Sequence, residues 1–191
     1  MKAERQAFEA QQAQVCAEEV IAMDERGIVT GMSRAYGYAP RGQRAVSAEL
    51  AAKGTRLRVV GALTVDGFLG GLDVTGTVNG DVFEAFIEQV VLPHLRPGKL
   101  VLLANATCHQ CEEIQTMSEA TGARVLFLPR YSPEYNPIER CWSTLKAWIR
   151  NWSPATVAIL QRALTQAIQQ VSTRDAEGWF RHAGFLINAN A

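Results

Sequence analysis

The chain has 191 residues, of which 48% are hydrophobic, 20% charged and 8% aromatic, enough to bury one core and too apolar for a disordered segment. Lys plus Arg and Asp plus Glu each number 19, so the total charge announces no polyanionic partner. No apolar run approaches the roughly 18 residues of a membrane span. Four cysteines, Cys16, Cys108, Cys111 and Cys141, are too sparse for a disulfide framework. Together with the absence of an apolar signal core in the first residues, they point to a reducing, cytoplasmic setting.

In chain order, residues 3–18 are rich in Ala, Gln and Glu and predict a helix. Glu19 to Asp24 predicts a short apolar strand ending in the acids Asp24 and Glu25. Ile28 to Arg34 and the β-branched Arg56 to Val65 predict further strands. Asp66-Gly67 is a tight-turn signal leading into Phe68 to Val74. From Asp81 to Leu95 apolar residues recur at helical spacing, and Pro93 and Pro97 mark the end. Lys99 to Leu103 is a continuous apolar strand of the kind buried on both faces. A helix over Cys108 to Thr121, a strand over Arg124 to Leu128, a helix from Asn136 to Arg150 and a last helix from Ser153-Pro154 to about Val171 complete the reading.

Strands first, then strands alternating with helices, predict an α/β layer structure with a mixed sheet, antiparallel in its first strands and parallel in the later ones. No repeat or linker divides the chain, so residues 1–191 read as one domain. Residues 1–18 form a leading helix or linker remnant, and residues 153–191 a C-terminal helical segment.

The neutral total hides a division. Residues 1–25 carry six acids against Lys2 and Arg5, whereas residues 26–58 carry seven Lys and Arg against Glu49 alone. The basic stretch, which includes Arg41 and Arg44, suits phosphates or a solvated charged hairpin. In open α/β sheets ligands gather at the carboxyl ends of strands. Three such places stand out: Asp24-Glu25, Ala104-Asn105-Ala106, and the loop Leu128 to Glu139. Carboxylates from each could hold divalent cations through hard oxygen ligands, but the middle place carries Ala104.

The pieces Met23-Asp24-Glu25, Tyr38 to Gln43, Leu102 to His109 and Leu128-Pro-Arg-Tyr-Ser-Pro-Glu-Tyr-Asn-Pro-Ile-Glu139-Arg-Cys-Trp142 occur in that order. Together they resemble the DDE transposase/endonuclease domain of mariner-type and related bacterial insertion-sequence elements, over roughly residues 18–150. The resemblance implies a ribonuclease H-like fold and an acidic triad at Asp24, the position of Ala104, and Glu139. The family reads Asp-Asn-Ala where this chain reads Ala104-Asn105-Ala106. With 34 residues between Ala104 and Glu139, similar to the family spacing, the departure is a point replacement within an intact motif.

The implied activity is metal-dependent cleavage and strand transfer of double-stranded DNA at transposon ends, with two Mg²⁺ or Mn²⁺ ions about 3.5–4 Å apart. Asp24 and Glu139 would be the metal ligands, and Ala104 would leave metal binding weak and cleavage impaired. His109 matches a histidine common in the family and would orient the site. Arg41, Arg44, Arg130, Lys146 and Arg150 are the candidate DNA-phosphate contacts. The resemblance further implies a homodimer in the full-length form, a bacterial cytoplasmic, nucleoid-associated location, and no membrane partner. Two other functions stay open: a non-catalytic DNA-binding or assembly module derived from a transposase, and a structure-specific nuclease of similar fold.

Most of these residues also have a plain structural explanation. Asp24 and Glu25 could close a strand at a turn. Asn136 as N-cap, Pro137 at the first helical position and Glu139 at the third would form a capping box needing no metal. Ile138, Trp142, Leu145 and Ile149 share a core-facing stripe, whereas Lys146 and Arg150 could be solvated helix charges. Cys108-x-x-Cys111 is half a zinc site or a redox pair. Trp148, Trp152 and Trp179 read as core or interface residues.

Overall fold

The computed structural model describes residues 2–34, 36–46, 54–104 and 115–188. Its strands are β1 (Val20–Val29), β2 (Arg56–Thr64), β3 (Gly67–Thr75), β4 (Leu100–Leu103) and β5 (Arg124–Phe127). They form one sheet of order β3-β2-β1-β4-β5. β1 runs antiparallel to β2 and parallel to β4; β2–β3 is antiparallel and β4–β5 parallel. This is the mixed sheet expected from the order of elements.

Helices cover both faces. They are α1 (Lys2–Gln12), α2 (Gly80–Phe86), α3 (described over residues 115–120), α4 (Pro137–Arg150), α5 (Val157–Gln169) and α6 (Thr173–His182). Strand alternation divides the core. Ala22, Leu57, Val59, Leu63, Leu100 and Leu102 face α4, α5 and α6, packing on Ile138, Trp142, Leu145, Leu160 and Phe180. Ile21, Met23, Val60, Ala62, Val101 and Leu103 face the other way, onto Phe86, Ile87 and Val91. Burial on both faces is why β1 and β4 read as unbroken apolar runs.

Several elements differ from the expectation, each because tertiary partners outweigh local signals. The two strands expected on either side of Asp24 to Gly27 are one ten-residue strand, because β2 pairs with every position from Ala22 to Val29. Asp24 therefore lies in mid-strand rather than at a strand end. The helix expected over Asp81 to Leu95 begins where Asn79 caps the Val82 amide at 3.1 Å. It widens to a π turn over Ile87–Val91 and tightens to a 3₁₀ turn at Leu92–His94. The helix expected from Ser153 starts at Val157, because Ser153 takes a left-handed φ of 43° and the Thr156 hydroxyl caps the Ile159 amide. Beyond it, α6 opens on a Ser172–Asp175 capping box whose spacing is visible in the sequence.

The leading segment is packed rather than trailing. Phe8 on α1 is buried and stacks on Tyr135 at 5.0 Å, and Gln12 donates to the Ala183 carbonyl at 2.8 Å. Arg5 reaches Ser132 at 3.1 Å and Glu134 at 2.9 Å, tying α1 to the loop before α4.

Gly61 has no room for a side chain. A Cβ at Gly61, in the middle of β2, would lie 2.7 Å from both Phe68 and Trp142, whose rings meet edge to face at 5.8 Å. Overpacking of this kind costs about 1–3 kcal/mol. Gly61→Ala is expected to lose that much stability in urea unfolding and to shift the tryptophan fluorescence of the folded state.

Candidate active site

The candidate site forms on the sheet face covered by α4. Asp24 shares that face with Ala22 and lies opposite Gly61 on β2. On the other side Ala22 pairs with Leu102. Ala104, two residues beyond Leu102 as Asp24 is two beyond Ala22, continues the same face, half-buried against the core under α4. Ala104 thus borders the sheet face that carries Asp24.

Above them runs α4. Ile138, Trp142, Leu145 and Ile149 are buried, as their helical spacing predicts. The Trp142 ring enters the space left by Gly61 and turns its indole N–H to Asp24, donating to Oδ2 at 3.1 Å. Burial is the largest influence on Asp24, followed by the negative charge of Glu139. Together they raise its pKa from 3.8 to about 7, against the opposing influences of the Glu25 amide, Arg26 and the indole. Two carboxyl groups from distant parts of the chain therefore stand near one another, Asp24 desolvated and Glu139 partly open to water.

Glu139 does not act as a cap. Asn136 occupies the N-cap position without a side-chain capping bond. Its amide instead donates to the Met23 carbonyl at 3.4 Å, next to Asp24, and Pro137 takes the first turn as expected. The Glu139 carboxylate faces Arg26, whose Nη1 lies 3.2 Å from Oε2 and 3.4 Å from Oε1. The capping-box explanation of Glu139 is thus corrected: the core draws Asn136 inward, and the charge of Arg26 holds the carboxylate over the sheet.

The other sequence candidates separate. Glu25 alternates to the opposite face and pairs with Arg58. Lys146 is half-buried in the same charged group, its pKa lowered by burial and by Arg26 and Arg150, while Glu139 and Asp24 act in the other direction. Arg150 is exposed at the end of α4. Arg41 and Arg44 are exposed in a stretch without regular structure, near the exposed Tyr36 and Tyr38. Arg130 is exposed and borders a groove shared with Glu4, Phe8 and Gln11 of α1. His109, Asn105 and the Cys108–Cys111 pair lie outside the described residues. Cys141 is buried in the core and its thiol is pushed up to about 12 by burial, so it offers no zinc ligand.

Three contributors escaped the sequence reading: Trp142 as a donor to Asp24, Gly61 as the space for that ring, and Arg26 as the partner of Glu139. Their signals were present but weak. A buried tryptophan needs an acceptor for its N–H, and a glycine inside a strand marks a close approach.

A hard divalent cation suits the donors that are present. Asp24 and Glu139 offer carboxylate oxygens near one another, where two negative charges repel unless compensated. Among the described residues no three His, Cys, Asp or Glu side chains gather as a ligand set.

The raised pKa fixes a pH dependence. Because the folded value lies above the unfolded one, the native state holds its proton more tightly, so stability falls as pH rises from about 3.8 to about 7 and is level above. In EDTA at pH 8, Asp24→Asn is expected to stabilise the fold by about 2 kcal/mol. That gain should shrink as the pH is lowered toward 4 in thermal unfolding.

The sequence model of the DDE superfamily endonuclease matches residues 19–160. No curated protein matches the chain at a significant level. Among solved structures, the Mos1 transposase catalytic domain with Raltegravir and Mg is similar with a TM-score of 0.66 and 13% identity, over 95% of this chain and 85% of that one. The Mos1 transposase paired-end complex with left transposon end aligns with a TM-score of 0.65 and 15% identity, over 86% of this chain and 52% of that one. The Mos1 strand transfer complex gives 0.63 and 16%, over 86% and 51%. The chain thus spans about half the length of the transposase chains in those two DNA complexes. At these identities the likeness establishes the fold, which is ribonuclease H-like. The matched span takes in Asp24, Ala104 and Glu139 and the whole sheet, and the protein belongs to the DDE superfamily of endonucleases.

Proposed function

We propose that this protein is a transposase catalytic domain, built for metal-dependent cleavage and strand transfer of double-stranded DNA at transposon ends, with the second acid of its triad replaced by Ala104. The observation that carries this reading is the meeting of β1 and α4 at two acids: Trp142 of α4 donates to Asp24, and Arg26, two residues beyond Asp24 on the same strand face, pairs with Glu139 of α4. A capping or turn role would require neither their convergence nor the burial of Asp24. The resolved complexes of similar fold contain transposon-end DNA, and a Mos1 catalytic domain has been solved with Mg, which supports the same substrate and cation class here.

In this reading Asp24 and Glu139 hold a Mg²⁺ or Mn²⁺ ion. Such a cation supplies Lewis-acid stabilisation of the phosphodiester and activation of water or a DNA 3′-hydroxyl. Trp142 fixes the direction of the Asp24 carboxylate, as a partner behind a ligand does in other metal sites. Lys146 and Arg150 on α4, with Arg41, Arg44 and Arg130 further out, receive DNA phosphates, and His109 orients the site. Ala104 supplies no oxygen, so a two-ion arrangement lacks a ligand, metal binding is weak and cleavage is impaired. The whole protein acts as a homodimer on paired ends of an insertion sequence in the bacterial cytoplasm, at the nucleoid. No described helix is long and apolar enough to cross a membrane.

Ala104 also favours a second reading, a non-catalytic DNA-binding or assembly module that keeps the fold. Ala104→Asp separates the two. With Mg²⁺ or Mn²⁺ and DNA bearing the element's own ends, the restored acid is expected to raise nicking at least about tenfold, the scale of a metal-ligand effect. It should also lower the melting temperature in EDTA, with Mn²⁺ recovering more of it than in the parent chain. Unchanged nicking together with retained DNA binding in a gel shift would select the non-catalytic module.

A further inference from the structure

The acidic pair already has a cation. Arg26 lies on the same face of β1 as Asp24, opposite Val59 of β2, so the pleat aims its side chain at α4. Its Nη1 spans both carboxylate oxygens of Glu139, at 3.2 and 3.4 Å. Arg26 also acts on Asp24 as a positive charge and on Lys146 as a like one. The guanidinium thus stands within the field of every charged group of the site, on the oxygens that a metal ion would need. The pair is partly open to water, with 40% of the Arg26 and 27% of the Glu139 side chain exposed, and ion pairs of that exposure are weak enough to be displaced.

We infer that Arg26 is the resident counter-cation of the Asp24–Glu139 pair and that a divalent cation enters the site only by displacing its guanidinium from Glu139. This inference rests on the reading of Asp24 and Glu139 as metal ligands. A guanidinium beside a divalent ion is repelled by it, so each occupant of the pair weakens the other. Arg26 therefore keeps the folded protein from holding two unscreened carboxylates when metal is absent, and it sets a threshold on metal binding. The replacement of the middle acid by Ala104 tilts the balance toward Arg26, because one negative charge that would favour metal is missing.

The test uses Mn²⁺ titration followed by the EPR signal of the free ion, in a background where the third ligand is restored. Ala104→Asp is compared with Ala104→Asp/Arg26→Gln and Ala104→Asp/Arg26→Lys, and each is melted in EDTA. The glutamine variant is expected to bind Mn²⁺ about tenfold more tightly and to melt lower in EDTA. The lysine variant, which keeps the charge, should stay near the Arg26 protein in both. A glutamine variant that melts lower but binds Mn²⁺ no better assigns Arg26 a purely structural role and overturns the inference, while the metal site stands. Failure of Ala104→Asp itself to bind Mn²⁺ removes the metal site, and this inference with it.

Discussion

The arrangement of this protein turns on the cost of holding a buried carboxyl group, Asp24, beside a second one, Glu139. Asp24 sits in mid-sheet beneath a helix, and Glu139 sits above it on that helix. Burial and mutual repulsion both work against ionisation, and the pKa of Asp24 near 7 records the conflict. Everything around the pair moderates it. The Trp142 indole gives Asp24 one hydrogen bond, Arg26 gives Glu139 a positive partner, and Lys146 adds a second positive charge nearby. A fold selected for stability alone would have little reason to keep such a group of charges there.

Helix α4 makes the pair possible because it belongs to the core and to the site together. One stripe, Ile138, Trp142, Leu145 and Ile149, anchors it to the sheet, and the neighbouring positions Glu139 and Lys146 follow from that anchoring. The rotation of the helix is fixed by packing, so the carboxylate is positioned by Ile138 and Trp142 as much as by its own contacts. Strand register does the same for the lower half. A slip of one residue in β1 would turn Asp24 to the α2 side and leave Glu25 facing α4. Gly61 completes the arrangement by leaving the space that the Trp142 ring needs to reach Asp24.

Ala104 gives the site an uneven character. Its position continues the face that carries Asp24 and brings no charge to it. Two acids with Arg26 and Lys146 near them are almost balanced without any added ion. Three acids would not be, and the excess negative charge would favour metal over the guanidinium. The protein belongs to the DDE endonuclease superfamily.

The sequence by itself determined the class of fold, the mixed order of strands, the core stripe of α4, and the ordered motif containing Asp24, Ala104 and Glu139. Such features are carried by local periodicity and by residue types at fixed spacing, which survive without knowledge of neighbours. Only the tertiary structure decided that Asp24 lies in mid-strand, since β2 offers pairing partners across the polar stretch that reads as a turn. Only it showed that Asn136 turns to the Met23 carbonyl while Glu139 turns to Arg26, because a capping box and an acid turned toward the sheet share one sequence pattern. The roles of Trp142, Gly61 and Arg26 were likewise settled across the sheet. Each depends on a partner from another element, and hydrogen bonds and ion pairs between elements leave no periodic trace along the chain.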